Sequence, residues 1–159
     1  STPPPRRSSP PCGSTIGPRK PRSSFDLFGG SILNVSRYGD GGPGKAGSAM
    51  TVDFELVGQR FTGLNGGPHF QFTEAISLAV SCADQEEVDR YWDALTADGG
   101  AESQCAWCKD RFGLSWQIVP TRLMELMSDP DPEKSGRVMQ AMLQMRKIVV
   151  ADLEAAYAG

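Results

Sequence analysis

Imidazole is nearly missing from this sequence: His69 is the only histidine in 159 residues, and the cysteines number four, Cys12, Cys82, Cys105 and Cys108. A structural zinc site needs four ligands, so the pair in CAWC, Cys105 to Cys108, has no second pair to complete it. Residues three apart on a strand also point to opposite faces, and the two thiols read as ordinary side chains. Four irregularly spaced cysteines are too few for a disulfide framework in a chain of this length. No run of 18 apolar residues occurs, and no basic stretch followed by an apolar one opens the chain. A cytoplasmic protein with no membrane partner is expected.

Acid is absent from residues 1–24, which carry Arg6, Arg7, Arg19, Lys20 and Arg22 and seven of the twelve prolines. Those prolines forbid a continuous helix or central strand, so residues 1–26 are expected to form a disordered basic tail. Aromatic side chains are absent from residues 1–24 too, which leaves nothing to stack on bases and argues against a nucleic-acid partner. With five of the 16 basic residues in that tail, the remainder carries 11 against 19 acidic ones. The main body is acidic, and its size suits a single core.

What is present from Ser31 onward is period-two alternation. Met50, Val52, Phe54 and Leu56 share one face of a strand while Thr51, Asp53 and Glu55 share the other. Val57-Gly58 permits a tight turn into a strand over 59–65, and residues 32–38 supply the strand before, so a three-strand meander is expected. A further strand over 76–82 precedes a helix over 85–97, with Asp84 as N-cap, Glu87 three residues on, and Val88, Tyr91, Trp92 and Leu95 as its apolar stripe. Gly99-Gly100 ends it. Short strands around 103–109 and 114–119 follow, joined by a turn at Gly113. Asp131 and Pro132 open another helix whose stripe of Val138, Met139, Met142, Leu143 and Met145 reads as core, and a last helix covers 151–157.

Several chemical motifs almost form. GDGGPGKA, Gly39 to Ala46, has the phosphate-loop glycines and lysine, but Ala46 replaces the hydroxyl for Mg²⁺ and a strand follows where a helix should. His69 in NGGPHFQF has no adjacent nucleophile and reads as a loop residue. The acids from Asp84 to Asp93 decorate a solvated helix face.

The stretch SAMTVDFELVGQRFTGLNGGPHFQFTEAISLAVSC, the hairpin KDRFGLSWQIVP and the segment SDPDPEKSGRVMQAMLQM together resemble the PhnB-like family of the vicinal-oxygen-chelate (glyoxalase/bleomycin-resistance/dioxygenase) superfamily. The resemblance spans residues 27–159, taken as one domain after the tail. It implies an α+β fold of paired β-α-β-β-β modules with a C-terminal helical extension, the first module lacking its opening strand and helix. One permitted codon choice for Ser9 to Ser24, read one nucleotide earlier, spells ITTLWFDDRAEEAAEF. That string resembles the missing strand and helix, so the tail reads as an out-of-frame translation of them. A chain without that unit should be marginally stable and is expected to form a homodimer.

Superfamily enzymes place metal ligands on the first and last strands of each module. By position, Asn65, Glu74 and Gln117 fall near such places, Gln117 where metal-binding relatives carry a glutamate. Carboxamides are weak ligands for divalent ions, so no metal and no cofactor is expected. The same three side chains, with Phe61, Leu64 and Trp116 as apolar walls, are the expected pocket for an unknown small molecule. The resemblance thus implies a small-molecule-binding or vestigial member. The other reading is an enzyme acting on a small metabolite, or the demethylubiquinone methyltransferase for which the family is labelled.

Overall fold

In the computed structural model, which describes residues 27–159, the alternating stretches become two separate sheets. The expected basic tail, with its out-of-frame reading, lies outside the described residues. The first sheet is an antiparallel meander of β1 (Ser31–Arg37), β2 (Ala49–Leu56) and β3 (Gln59–Leu64). Val57 and Gly58 join β2 to β3 with φ of 50° and 75°. Both are left-handed, as a two-residue type I′ turn requires, and this twist lets Leu56 pair with Gln59 and Phe54 with Phe61. Those two rings stack with centroids 5.5 Å apart.

The second sheet contains β4 (Ser77–Cys82), β5 (Ala101–Glu102), β6 (Trp107–Lys109) and β7 (Ser115–Pro120), ordered β4-β7-β6-β5. β4 and β7 are parallel, and the other neighbours are antiparallel. Between β4 and β5 runs α1 (Gln85–Thr96). Asp84 caps it by accepting from the Glu87 N–H at 2.9 Å, and Glu87 Oε2 reaches back to accept from the Ala83 N–H at 2.8 Å. Val88, Trp92 and Leu95, at i, i+4 and i+7, are buried against Cys82, Cys108, Trp116 and Ile118. Each large apolar side chain so buried contributes about 1.5–3 kcal/mol, which makes this one of the two centres of stability. Phe28 joins it, stacked at 5.0 Å on Tyr91 and 5.1 Å on Trp116.

After α1 the chain passes Gly100 so closely that a Cβ there would sit 2.2 Å from the Leu95 carbonyl and 2.8 Å from that of Lys109. The strand expected over 103–109 is interrupted, because Cys105 and Ala106 take left-handed φ of 54° and 72°. Their N–H groups donate instead to the Met145 and Arg146 carbonyls at 2.9 Å. Cys108 is buried, and burial pushes its thiol up to about 12, as it pushes Cys82 to about 11. Both stay protonated.

Three helices complete the chain. α2 (Thr121–Met127) is an element that periodicity over the longer segments did not predict; it starts directly after Pro120 and buries Leu123 and Leu126. α3 (Pro132–Leu143) opens as expected, with the Asp131 side chain accepting from Glu133 N–H at 2.9 Å. α4 (Val150–Ala158) buries Leu153. With Ala106, Val138 and Ile148 these form a second core, and Met142 and Met145 pack against it, so those methionines are core side chains. The fold is α+β. Among the described residues no helix is long and apolar enough to cross a membrane.

Candidate functional site

Because side chains alternate along β7, Ser115, Gln117 and Val119 point away from α1 while Trp116 and Ile118 point toward it. Register then assembles the outer face. Parallel pairing sets Ser77 beside Ser115 and Ala79 beside Gln117; antiparallel pairing sets Lys109 beside Ser115 and Trp107 beside Gln117. Gln117 Nε2 donates to Ser77 Oγ at 2.8 Å. Lys109 Nζ pairs with Glu74 at 2.5 Å, and this hydrogen bond holds the Glu74 carboxyl below its ordinary 4.5. Small residues Ser77, Ala79 and Ser81 keep the floor on the β4 side low, and the half-buried Trp107 stands at the other side.

One group on this face is unsatisfied. Ser115 is 1% exposed and its Oγ has no hydrogen-bond partner among the described residues. A buried hydroxyl left unpaired costs about 1–3 kcal/mol.

A second polar surface lies on the first sheet, a depression of about 360 Å³ lined by Leu33, Asn34, Asp53, Arg60, Phe61 and Thr62. Asp53 is held there by its neighbours: Oδ1 accepts from the Thr62 hydroxyl at 2.7 Å and Oδ2 from Asn34 Nδ2 at 3.4 Å.

The six side chains expected to line one pocket are not together. Glu74 and Gln117 belong to the outer face of the second sheet. Phe61 lines the depression on the first, Leu64 is exposed at the end of β3, and Asn65 donates from Nδ2 to the Ala49 carbonyl at 2.9 Å. The backbone carbonyl of Asn65 accepts from the Tyr38 hydroxyl at 2.5 Å, so this residue fastens the meander's end. Trp116 corrects the expected wall most directly: it is 4% exposed in the α1 core and donates its indole N–H to Asp110 Oδ2 at 3.0 Å. Side chains of adjacent residues on one strand point to opposite faces, so Gln117 on the outer face requires Trp116 on the inner. Ser77, Trp107, Lys109 and Ser115 were not singled out from sequence. The i±2 positions of Gln117 carry the signal for Ser115, but the rest follow from strand order alone.

The divalent ion implied by the resemblance does not fit the donor set. Asn65 and Gln117 offer carboxamides engaged with Ala49 and Ser77, and Glu74 is engaged with Lys109. Among the described residues no group of three or more His, Cys, Asp or Glu is placed to hold a metal.

With this geometry in view, the comparisons decide the relationship. The family model for 3-demethylubiquinone-9 3-methyltransferase matches residues 26–119. The chain belongs to that family. A PhnB protein of Bacillus cereus, assigned provisionally to the same methyltransferase, is 30% identical over 61% of this chain and 88% of its own, with a TM-score of 0.54. This places the chain among PhnB-like proteins. The protein PA1353 of Pseudomonas aeruginosa is 18% identical over 61% of this chain and 83% of its own, with a TM-score of 0.48. No curated protein matches. The family match takes in both sheets and α1 and ends inside β7, so α2, α3 and α4 lie beyond it.

Proposed function

We propose that this PhnB-like chain binds a small polar molecule on the outer face of its second sheet, without a divalent metal. Ser115, Gln117 and Ser77 supply the hydrogen bonds, Lys109 with Glu74 the charged rim, and Trp107 an apolar wall. The observation that carries this reading is the buried, partnerless Ser115 hydroxyl beside the Gln117–Ser77 bond. The order β4-α1-β5-β6-β7, with first and last strands side by side, fits one module of the vicinal-oxygen-chelate superfamily and supports placing the chain there. Free thiols at Cys82, Cys105 and Cys108 fit a cytoplasmic setting.

The methyltransferase in the family's description is a weaker reading. The turn from β4 into α1 is Cys82-Ala83-Asp84, with no glycine to let a cofactor approach the helix N-terminus. Thermal-shift screening against small carboxylic acids, amides and sugars tests the binding reading. Compounds that raise Tm should lose their effect in Gln117→Leu and Ser115→Ala, keep it in Asp53→Asn, and be indifferent to added Zn²⁺ or Mn²⁺. Shifts retained in both second-sheet variants, or stoichiometric metal by elemental analysis, would overturn it.

A further inference from the structure

Charge is unevenly placed on the outer face of the second sheet. Alternation along β4, β5, β6 and β7 puts uncharged side chains there, among them Ser77, Ala79, Trp107, Ser115 and Gln117, and a single charged one, Lys109. The acids close to Lys109 in the sheet are engaged on the other side. Asp110 accepts from the Phe112 and Leu114 N–H groups and from the Trp116 indole, and Glu102 accepts from the Trp92 indole. The strands therefore give this face one ammonium and no carboxylate.

The carboxylate that Lys109 holds comes from outside the sheet. Glu74 belongs to the linker between β3 and β4, in which every residue from 65 to 76 is exposed. Among the described residues its pair with Lys109 is the one side-chain bond that ties residues 66–76 to the second sheet. The Glu74 side chain is 67% exposed against 35% for Lys109, so the lysine is the anchored partner and the glutamate the one free to leave. An ion pair as exposed as this is weak, and a competing carboxylate displaces it readily.

We propose that Glu74 is an internal stand-in for the ligand, and that this face takes a small monocarboxylic acid whose carboxylate displaces Glu74 from Lys109. The inference rests on the binding role proposed above for the same face. Register sets the shape of the acceptor. Lys109, Ser115 and Ser77 lie in one row across the sheet and Trp107, Gln117 and Ala79 in the next, about 7 Å along the strands. A carboxylate on the first row, with the Ser115 hydroxyl as a further donor, lays an apolar tail along the Trp107 ring in the second. One ammonium balances one negative charge. A phosphate monoester carries about −1.5 to −2 at pH 7 and finds no second cation on this face.

Titration of the full chain with 3-phenylpropanoate, 3-phenylpropanamide and 2-phenylethyl phosphate tests the proposal. Tryptophan fluorescence follows it, since Trp107 is on the face while Trp92 and Trp116 lie in the core. Glu74→Gln should tighten the carboxylate by about twofold to fivefold, the range an exposed ion pair spans, and leave the amide unchanged. A merely structural pair gives the opposite sign, because its loss weakens both probes alike. Lys109→Gln should bring the carboxylate down to the affinity of the amide, and the phosphate should bind more weakly than the carboxylate throughout. Near-ultraviolet circular dichroism of Trp92 and Trp116 checks that the variants are folded. Carboxylate affinity that does not rise in Glu74→Gln, or that survives Lys109→Gln, overturns the proposal, as does a preference for the phosphate. If amide binding still disappears in Gln117→Leu, the binding role of the face stands without it. Binding of all three probes that is indifferent to Gln117→Leu removes both.

Discussion

Gln85 caps a helix more than sixty residues away: its Oε1 accepts from the Val150 N–H at 2.8 Å, and its Nε2 donates to the Ile148 carbonyl at 3.0 Å. α4 has no side-chain cap of its own, since Val149 stands at the N-cap position. The first residue of α1 therefore satisfies a donor that the first turn of α4 leaves open. It also joins the two cores. Gln85→Ala should cost about 1–3 kcal/mol, because the Val150 N–H and Ile148 carbonyl lose their partner together. Urea unfolding should show a lower midpoint with an unchanged slope.

The β2–β3 turn holds a β-branched residue in a left-handed conformation that disfavours it, Val57 at φ 50° and 80% exposed. Replacing it with Asn, the residue type I′ turns prefer at this position, should stabilise the chain by about 0.5–1 kcal/mol. Thermal unfolding of Val57→Asn checks the sign.

Gly100→Ala should do the reverse, and far more strongly. The added methyl meets backbone atoms of Leu95, Thr96 and Lys109, which cannot rotate away. A loss of at least ~3 kcal/mol is expected from displacing α1 or β6. Its expression level and Tm against Gly136→Ala, where an added methyl on α3 meets nothing, report this.

Acid should loosen the helical end of the molecule. Hydrogen bonds from Arg122 hold the Glu154 carboxyl below its ordinary 4.5, and those from Tyr157 and the Asp131 N–H hold Asp129 below its ordinary 3.8. Both folded-state values are depressed, so their contribution is present above the ordinary values and disappears as pH falls through the folded ones. The urea midpoint should fall below about pH 4.5. Glu154→Gln should flatten that fall while lowering the plateau.

Alkylation should separate the cysteines. Cys82 and Cys108 are buried, with thiols pushed up to about 11 and about 12, whereas Cys105 is partly exposed. Among the three described cysteines, iodoacetamide at pH 8 should label Cys105 in the native chain and reach Cys82 and Cys108 only after unfolding. Peptide mass spectrometry distinguishes them.

Most strands and the long helices were legible in the sequence because their apolar periods are clean: Met50 to Leu56 for β2, Val88 to Leu95 for α1. α2 was not, since a seven-residue helix following a strand through Pro120 spans about two turns, too few for Leu123, Leu126 and Met127 to establish a period. The break at Cys105 and Ala106 was hidden because the two backbone donors there find acceptors at Met145 and Arg146, some forty residues on. The pocket was misjudged for a related reason. Trp116 and Gln117 are neighbours in sequence but lie on opposite sides of β7, and only the parallel alignment with β4 brings Ser77 to Gln117, as only the antiparallel one with β6 brings Trp107 beside it.

Parallel alignment of β4 with β7 also has a cost in time. Cys82 leaves the ribosome well before Ser115, and at about 5–20 residues per second the earlier strand waits about 2–8 s for its mate. Through that interval Leu78 and Val80 have only a nascent α1 to shelter them, so the newborn polypeptide should need a holding chaperone, and slower elongation should lower its yield.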